Sequence, residues 1–280
     1  MRVLITGAAG QLGQAMMARL RPSHDVTGWT RADVDLARHH EVREAVTALA
    51  PQAIVNCASY NLVDQAEDDP IAAFEVNAMA VGTLARAAAA LNAVFMHYSS
   101  DFVFSGAGSL PYTELDTPEP RSAYAQSKLV GEWLAAGARR HYVLRVESLF
   151  GGPHRRSSID RIADAIRSGR PARVFSDRVV SPSFVTDVAD ASAFLLDAAA
   201  EPGVYHCVNS GHASWLDVGR EIARRLGQSD AALEPVSVND MAMRAKRPQF
   251  AALSNAKLAR AGYAMPAWQD AIGRYMAPDT

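Results

Sequence analysis

The stretch SAYAQSKLVGE, Ser122 to Glu132, sets Tyr124 and Lys128 four residues apart, the spacing that makes side chains neighbours on one helix face. An ammonium beside a phenol stabilises the phenolate and is expected to draw the Tyr pKa down from about 10, so that it exchanges protons near neutrality. A hydroxyl source precedes the pair in the chain: Ser99, Ser100 and Asp101 follow the apolar run Val94 to Tyr98. A Ser hydroxyl can hold a carbonyl oxygen while Tyr124 protonates it, as hydride reaches the carbon from the other side. A Tyr and a Lys at this spacing also occur on ordinary amphipathic helices. The elements that would carry the partners therefore decide.

Val3 to Thr6 reads as a strand closed by GAAGQLG, with Gly7, Gly10 and Gly13, after which Gln14 to Leu20 has helical periodicity. Strand, glycine turn and helix in that order bind a dinucleotide, because glycines allow close backbone approach and the helix N-terminus attracts a pyrophosphate. The spacing is G-x-x-G-x-x-G, not G-x-G-x-x-G. A second strand, Asp25 to Trp29, ends in Thr30 and Arg31. A guanidinium there can pair with a 2′-phosphate, which favours NADPH; NADH stays open because Asp33 could supply the acid that ribose hydroxyls require. Asp35 can contact the adenine edge with Leu36 packing its ring, or Asp35 can be a helix cap.

A third strand, Ala53 to Asn56, ends in the small residues Cys57, Ala58 and Ser59, which would let backbone lie along the cofactor ribose. A helix is expected from about Pro70 to Leu91, with Pro70 in its first turn. Strands thus alternate with helices and end in Gly, Ser, Thr, Asn or Asp, as in a doubly wound parallel α/β sheet whose carboxyl edge forms the ligand crevice.

A net charge of -2 gives no global reason to expect nucleic acid or an anionic membrane as partner. The two cysteines are far apart and match no metal-ligand spacing, which suits a reducing compartment. The chain enters a strand at once, without a cleavable leader, and no apolar run approaches the roughly eighteen residues of a membrane span. A cytoplasmic protein, monomer or homodimer, with a small-molecule substrate and no metal is expected.

The segments TGAAGQLGQ, VNCASYNLVDQAE, HYSSDFVFSG, YAQSKLVGE, LRVESLFGG, SDRVVSPSFVTDVAD and RPQFAALSNAKLARAGYAMPAW run through nearly the whole chain. Together they resemble the extended short-chain dehydrogenase/reductase family, and within it the dTDP-4-dehydrorhamnose reductases. The resemblance implies an NADP-binding Rossmann domain over 1–150 and a mainly substrate-binding lobe over 151–280, with a segment near 174–200 returning to the sheet. It implies Ser100, Tyr124 and Lys128 as catalytic residues. Gly7, Gly10, Gln11, Leu12, Gly13, Thr30, Arg31, Asp35, Leu36, Cys57, Ala58 and Ser59, with Tyr124 and Lys128, would form the cofactor site.

Departures from the family pattern cluster where a sugar would sit. S-T-D-Y-V-F is SSDFVF, R-T-S-W-V-Y is RVESLF, and Val180 replaces a usual Gly. Phe102 therefore lacks a hydroxyl, while Glu147 and Ser148 alter the region of a sugar-stacking Trp. Asp101, Phe102, Glu147 and Ser148 are the expected substrate contacts, with Glu147 bonding a sugar hydroxyl or, alternatively, lying at the surface or pairing with Arg145. The implied reaction is NADPH-dependent reduction of the 4-keto group of a nucleotide-activated deoxysugar. A nucleotide-sugar epimerase or a non-catalytic NADP-binding regulatory subunit is the alternative; dehydration fits less well, because only Asp101 follows Ser100.

Overall fold

Val3 and Ile5 face one side of the first strand and Leu4 the other, and all three are buried. Continuous apolar strands of this kind belong to a sheet covered on both faces, which is what the computed structural model of the protein shows over the residues it describes, 1–277.

In chain order the elements are β1 (Arg2–Thr6), α1 (Gln11–Leu20), β2 (Asp25–Trp29), α2 (His39–Leu49), β3 (Ala53–Asn56), α3 (Pro70–Phe74), α4 (Ala80–Ala90), β4 (Val94–Ser100), α5 (Ala123–Ala135) and β5 (His141–Val146). Then come β6 (Leu149–Phe150), α6 (Ser158–Arg167), β7 (Ala172–Phe175), β8 (Val179–Val180), β9 (Ser183–Phe184), α7 (Val185–Asp197) and β10 (Gly203–His206). The chain closes with β11 (Ala213–Ser214), α8 (Trp215–Arg225), β12 (Leu233–Val236), α9 (Ala256–Arg260) and α10 (Trp268–Met276).

Six strands pair in the order β10-β5-β4-β3-β1-β2, all parallel. Ile5, Tyr98 and Leu144 pack with Met16 of α1 and Val188 and Leu195 of α7 on one face. Leu4, Ile54 and Phe95 pack with Val46, Leu84 and Ala135 of α2, α4 and α5 on the other. Chain from the second half thus completes the sheet: α7 covers the α1 face and β10 pairs with β5. A separate apolar cluster built on Ile159, Ile166, Trp215, Ile222, Trp268 and Ile272 ties α6, α8 and α10 together.

One expected element is interrupted. The helix read over 70–91 holds a π-helical turn, Glu75–Met79, a one-residue irregularity that often marks functional sites. Its cause is Asn77, whose Oδ1 accepts from Ser59 Oγ and Tyr60 N at 3.0 and 2.9 Å, and whose Nδ2 donates to Tyr60 O and Ser127 Oγ at 3.1 and 3.0 Å. The helix yields register so that one buried amide can hold the β3 loop against α5.

Candidate active site

Because every strand of the sheet is parallel, Thr6, Trp29, Asn56 and Ser100 end at one edge. The turn after β1 is tight: Gly7 has φ +66°, and a Cβ there would lie 2.6 Å from Ala58 N. A Cβ on Gly13 would lie 2.1 Å from Gly7 O. α1 begins at Gln11 with Gly10 as its N-cap, no side-chain cap bond and no acidic residue in its first turn. Its opening N–H groups are therefore available to an anion.

Beside this turn lies a cavity of about 490 Å³ whose lining includes Gly7, Gly10, Thr30, Arg31, Asp35, Leu36, Cys57, Ala58 and Ser59. The remaining expected cofactor residues do not line it. Leu12 is buried among the α1 core residues, and Gly13 serves the close approach of helix to turn. Gln11 lies under Gly152, with its Nε2 buried and unpartnered. Asp33 is used locally, accepting from Thr30 N and Oγ1 at 2.8 and 2.7 Å; these bonds hold its carboxyl below the ordinary value. Sequence reading missed Tyr60, Asn61, Glu75 and Val76, which also line the cavity, since a loop and an irregular helical turn carry no periodic signal.

Ser122 caps α5 by accepting from Ala125 N at 3.2 Å, which fixes the helix start and with it Tyr124 and Lys128, both buried. Lys128 Nζ donates to Tyr98 O at 2.5 Å. Burial pushes Lys128 down to about 8, with the Glu132 charge opposing. Tyr124 departs from expectation: burial, then the charge of Asp101, pushes it well above its ordinary value, against the Ser100 and Ser59 hydroxyls. Desolvation outweighs the two hydroxyls, so the phenol keeps its proton.

Ser100 Oγ bonds Asp101 Oδ1 at 2.8 Å and accepts from Phe102 N at 3.2 Å. Phe102 meets the Tyr124 ring edge-on, with centroids 5.5 Å apart. Burial raises Asp101 to about 6 against the Arg178 charge, and raises Glu147 well above its ordinary value, with Asp101 adding to the effect.

Glu147 is neither a surface acid nor the partner of Arg145. It is 2% exposed, with Oε2 accepting from Ser181 N at 2.5 Å and Oε1 unpartnered. Arg145 instead forms a two-pronged pair with Glu132, at 2.9 and 2.8 Å. Ser148, the residue after Glu147, is half-buried in a left-handed conformation with φ +45°. The structure thus brings a second carboxyl into the neighbourhood of Asp101 from 46 positions along the chain, a proximity that adjacency in sequence does not reveal.

Residues 1–280 match the RmlD substrate binding domain family. The dTDP-4-dehydrorhamnose reductase of Streptomyces griseus is 34% identical over 93% of this chain and 88% of its own. That of Sinorhizobium fredii is 32% identical over 98% of this chain and 96% of its own. The crystal structure of dTDP-4-dehydrorhamnose reductase from Bacillus anthracis in complex with NADP superposes with a TM-score of 0.93 at 27% identity, covering 98% of each chain.

Proposed function

The chain belongs to the RmlD substrate binding domain family, and from that premise we propose that it is an NADPH-dependent nucleotide-sugar ketoreductase, reducing the 4-keto group of a nucleotide-activated deoxysugar as the dTDP-4-dehydrorhamnose reductases do. The observation that carries the reading is that the Tyr124 hydroxyl lies against Ser100 and against Ser59, and Ser59 lines the glycine-edged cavity at the same sheet edge, with Lys128 buried one helical turn from Tyr124.

The residues at that edge fit a dinucleotide. The tight turn, the uncapped α1 N-terminus and the unpartnered Gln11 amide would hold the pyrophosphate. Arg31 would take a 2′-phosphate, Asp35 and Leu36 the adenine, and Cys57, Ala58 and Ser59 the ribose. NADPH, when bound, supplies the hydride; NADH is the alternative donor. Leu12 and Gly13 serve by packing.

In the mechanism, Ser100 Oγ orients the ketone oxygen and Tyr124 Oη gives it the proton. Burial keeps that phenol protonated before reaction. Lys128 stabilises the phenolate that remains, from a charge held against desolvation next to Tyr98 O. Residues 1–150 would bind the cofactor and 151–280 mainly the sugar nucleotide, with Val185 to His206 serving the sheet. None of the described helices is long and apolar enough to cross a membrane. The cytoplasm as its location and a monomer or homodimer as its assembly are part of the proposal.

The test is to mix the protein with NADPH, or NADH, and a panel of dTDP-, UDP- and GDP-4-keto sugars while following nicotinamide absorbance. Oxidation with a 4-keto sugar is expected. Tight NADPH binding without oxidation by any sugar would favour the regulatory reading instead.

A further inference from the structure

Arg178 is 8% exposed, yet its hydrogen-bonding capacity is hardly used within the chain. Its Nε donates to Pro248 O at 3.1 Å, and its guanidinium carbon stands 5.7 Å from the centre of the Phe102 ring. Among the described residues, neither Nη has a hydrogen-bond partner, and neither is sealed from solvent as the unpartnered Asp101 Oδ2, Glu147 Oε1 and Arg247 Nε are. A buried guanidinium needs acceptors for its donors. Among the described residues, the chain supplies none to either Nη.

We propose that Arg178 is a specificity-determining residue, whose Nη groups bind the free hydroxyl on the sugar carbon beside the ketone, the 3-hydroxyl of a 4-keto sugar, with Glu147 and Asp101 as the counter-charges that keep it in place. The proposal rests on the reductase reading and deepens it. Position supports it first: the Phe102 ring meets the Tyr124 ring edge-on at 5.5 Å and has the Arg178 guanidinium carbon 5.7 Å from its centre, so one aromatic ring contacts both the proposed acid and the guanidinium.

Charge supports it second. Arg178 feels both Asp101 and Glu147, and burial raises both carboxyls above their ordinary values. The site already holds a buried cation beside two buried carboxyls. A neutral hydroxyl adds no further charge to be desolvated there, whereas an ammonium, a carboxylate or a phosphate would. The neighbouring cation, Arg247, is already engaged by Asp64 Oδ2 at 2.6 Å. Glu147 acts through Arg178 and is a positioning residue.

The experiment compares kcat/KM on a dTDP-4-keto-6-deoxyhexose and on its 3-deoxy analogue. The wild type should prefer the hydroxylated sugar by about 10- to 100-fold, the range of a hydrogen bond to a charged group. Arg178→Gln should lose that factor on the hydroxylated sugar, mainly in KM, beyond any loss it causes on the 3-deoxy analogue, so that the preference disappears, and bind NADPH as before. Arg178→Lys, which keeps the charge, should lower the preference by about threefold and decides the matter if the Gln variant does not fold. Equal losses on both sugars, or an unchanged preference in the Lys variant, would overturn the assignment. A wild type that oxidises NADPH with no 4-keto sugar of the dTDP, UDP and GDP panel overturns the reductase reading itself, and this inference with it.

Discussion

The two sides of the crevice are built on opposite terms. On the cofactor side, backbone does the work: Gly7 and Gly13 remove the Cβ atoms that would collide with Ala58 and with Gly7 O, and Asp33 is satisfied within its own turn. On the sugar side, side chains do it, and several are left unsatisfied: Asp101 Oδ2, Glu147 Oε1 and Arg247 Nε are buried without partners. The first region is shaped by the close approach of backbone to backbone. The second stores desolvated polar groups that the proposed ligand would relieve, as binding sites commonly do at a cost to stability. Tyr124 stands on the seam between them.

The largest expected effect tests the seam. Tyr124→Phe should cut kcat by roughly 10²- to 10⁴-fold, the contribution of a positioned acid, while NADPH binding measured by fluorescence titration stays as in the wild type. An active Phe variant would show that the two sides meet around some other acid.

On the cofactor side, Gly13→Ala should cost about 3 kcal/mol or more, because the new Cβ would overlap backbone and not a movable side chain; thermal unfolding, with NADPH affinity beside it, reads this out. The sugar side should respond in the other direction. Asp101 has its folded pKa raised from 3.8 to about 6, so the folded state holds its proton more tightly than the unfolded chain does. That contribution is present below about 4 and is lost as pH rises through about 6. Asp101→Asn should therefore unfold at higher denaturant than wild type at pH 8, by about 1–3 kcal/mol, and show no gain near pH 4, with reduced turnover throughout. Destabilisation at pH 8 would erase the contrast between the two sides. The smallest effect is the most local: Arg31→Ala should weaken NADPH by about tenfold and leave NADH unaffected, since Arg31 lines the cavity while Asp33 is occupied.

The same contrast governs what could be read from the sequence. β1, β2 and β3 and the glycine turn were legible because each is a short, contiguous pattern with a local cause. Asn77 was hidden because its partners, Ser59, Tyr60 and Ser127, are 17 to 50 positions away; a lone Asn inside an Ala-rich helix was the available clue. Arg178 and Glu147 gave less, for their meaning lies in sharing one buried space with Asp101, and no spacing announces that. The rise of Tyr124 was misjudged for a related reason: a sequence shows the neighbouring Lys but not the burial that overrides it.

The order of strands has a consequence for how the molecule is made. β10 joins the sheet beside β5 and α7 covers the face that carries α1, although both are encoded more than thirty positions after β5 ends. A chain emerging from the ribosome therefore completes Ser100, Tyr124 and Lys128, the proposed catalytic residues, while one sheet edge and one apolar face are still bare. Until His206 has been synthesised, the nascent protein carries an unpaired parallel edge of the kind that recruits other chains. Productive folding is thus timed by the second half, and translation that stalls between Val146 and Gly203 should yield the most aggregation-prone intermediate of this protein.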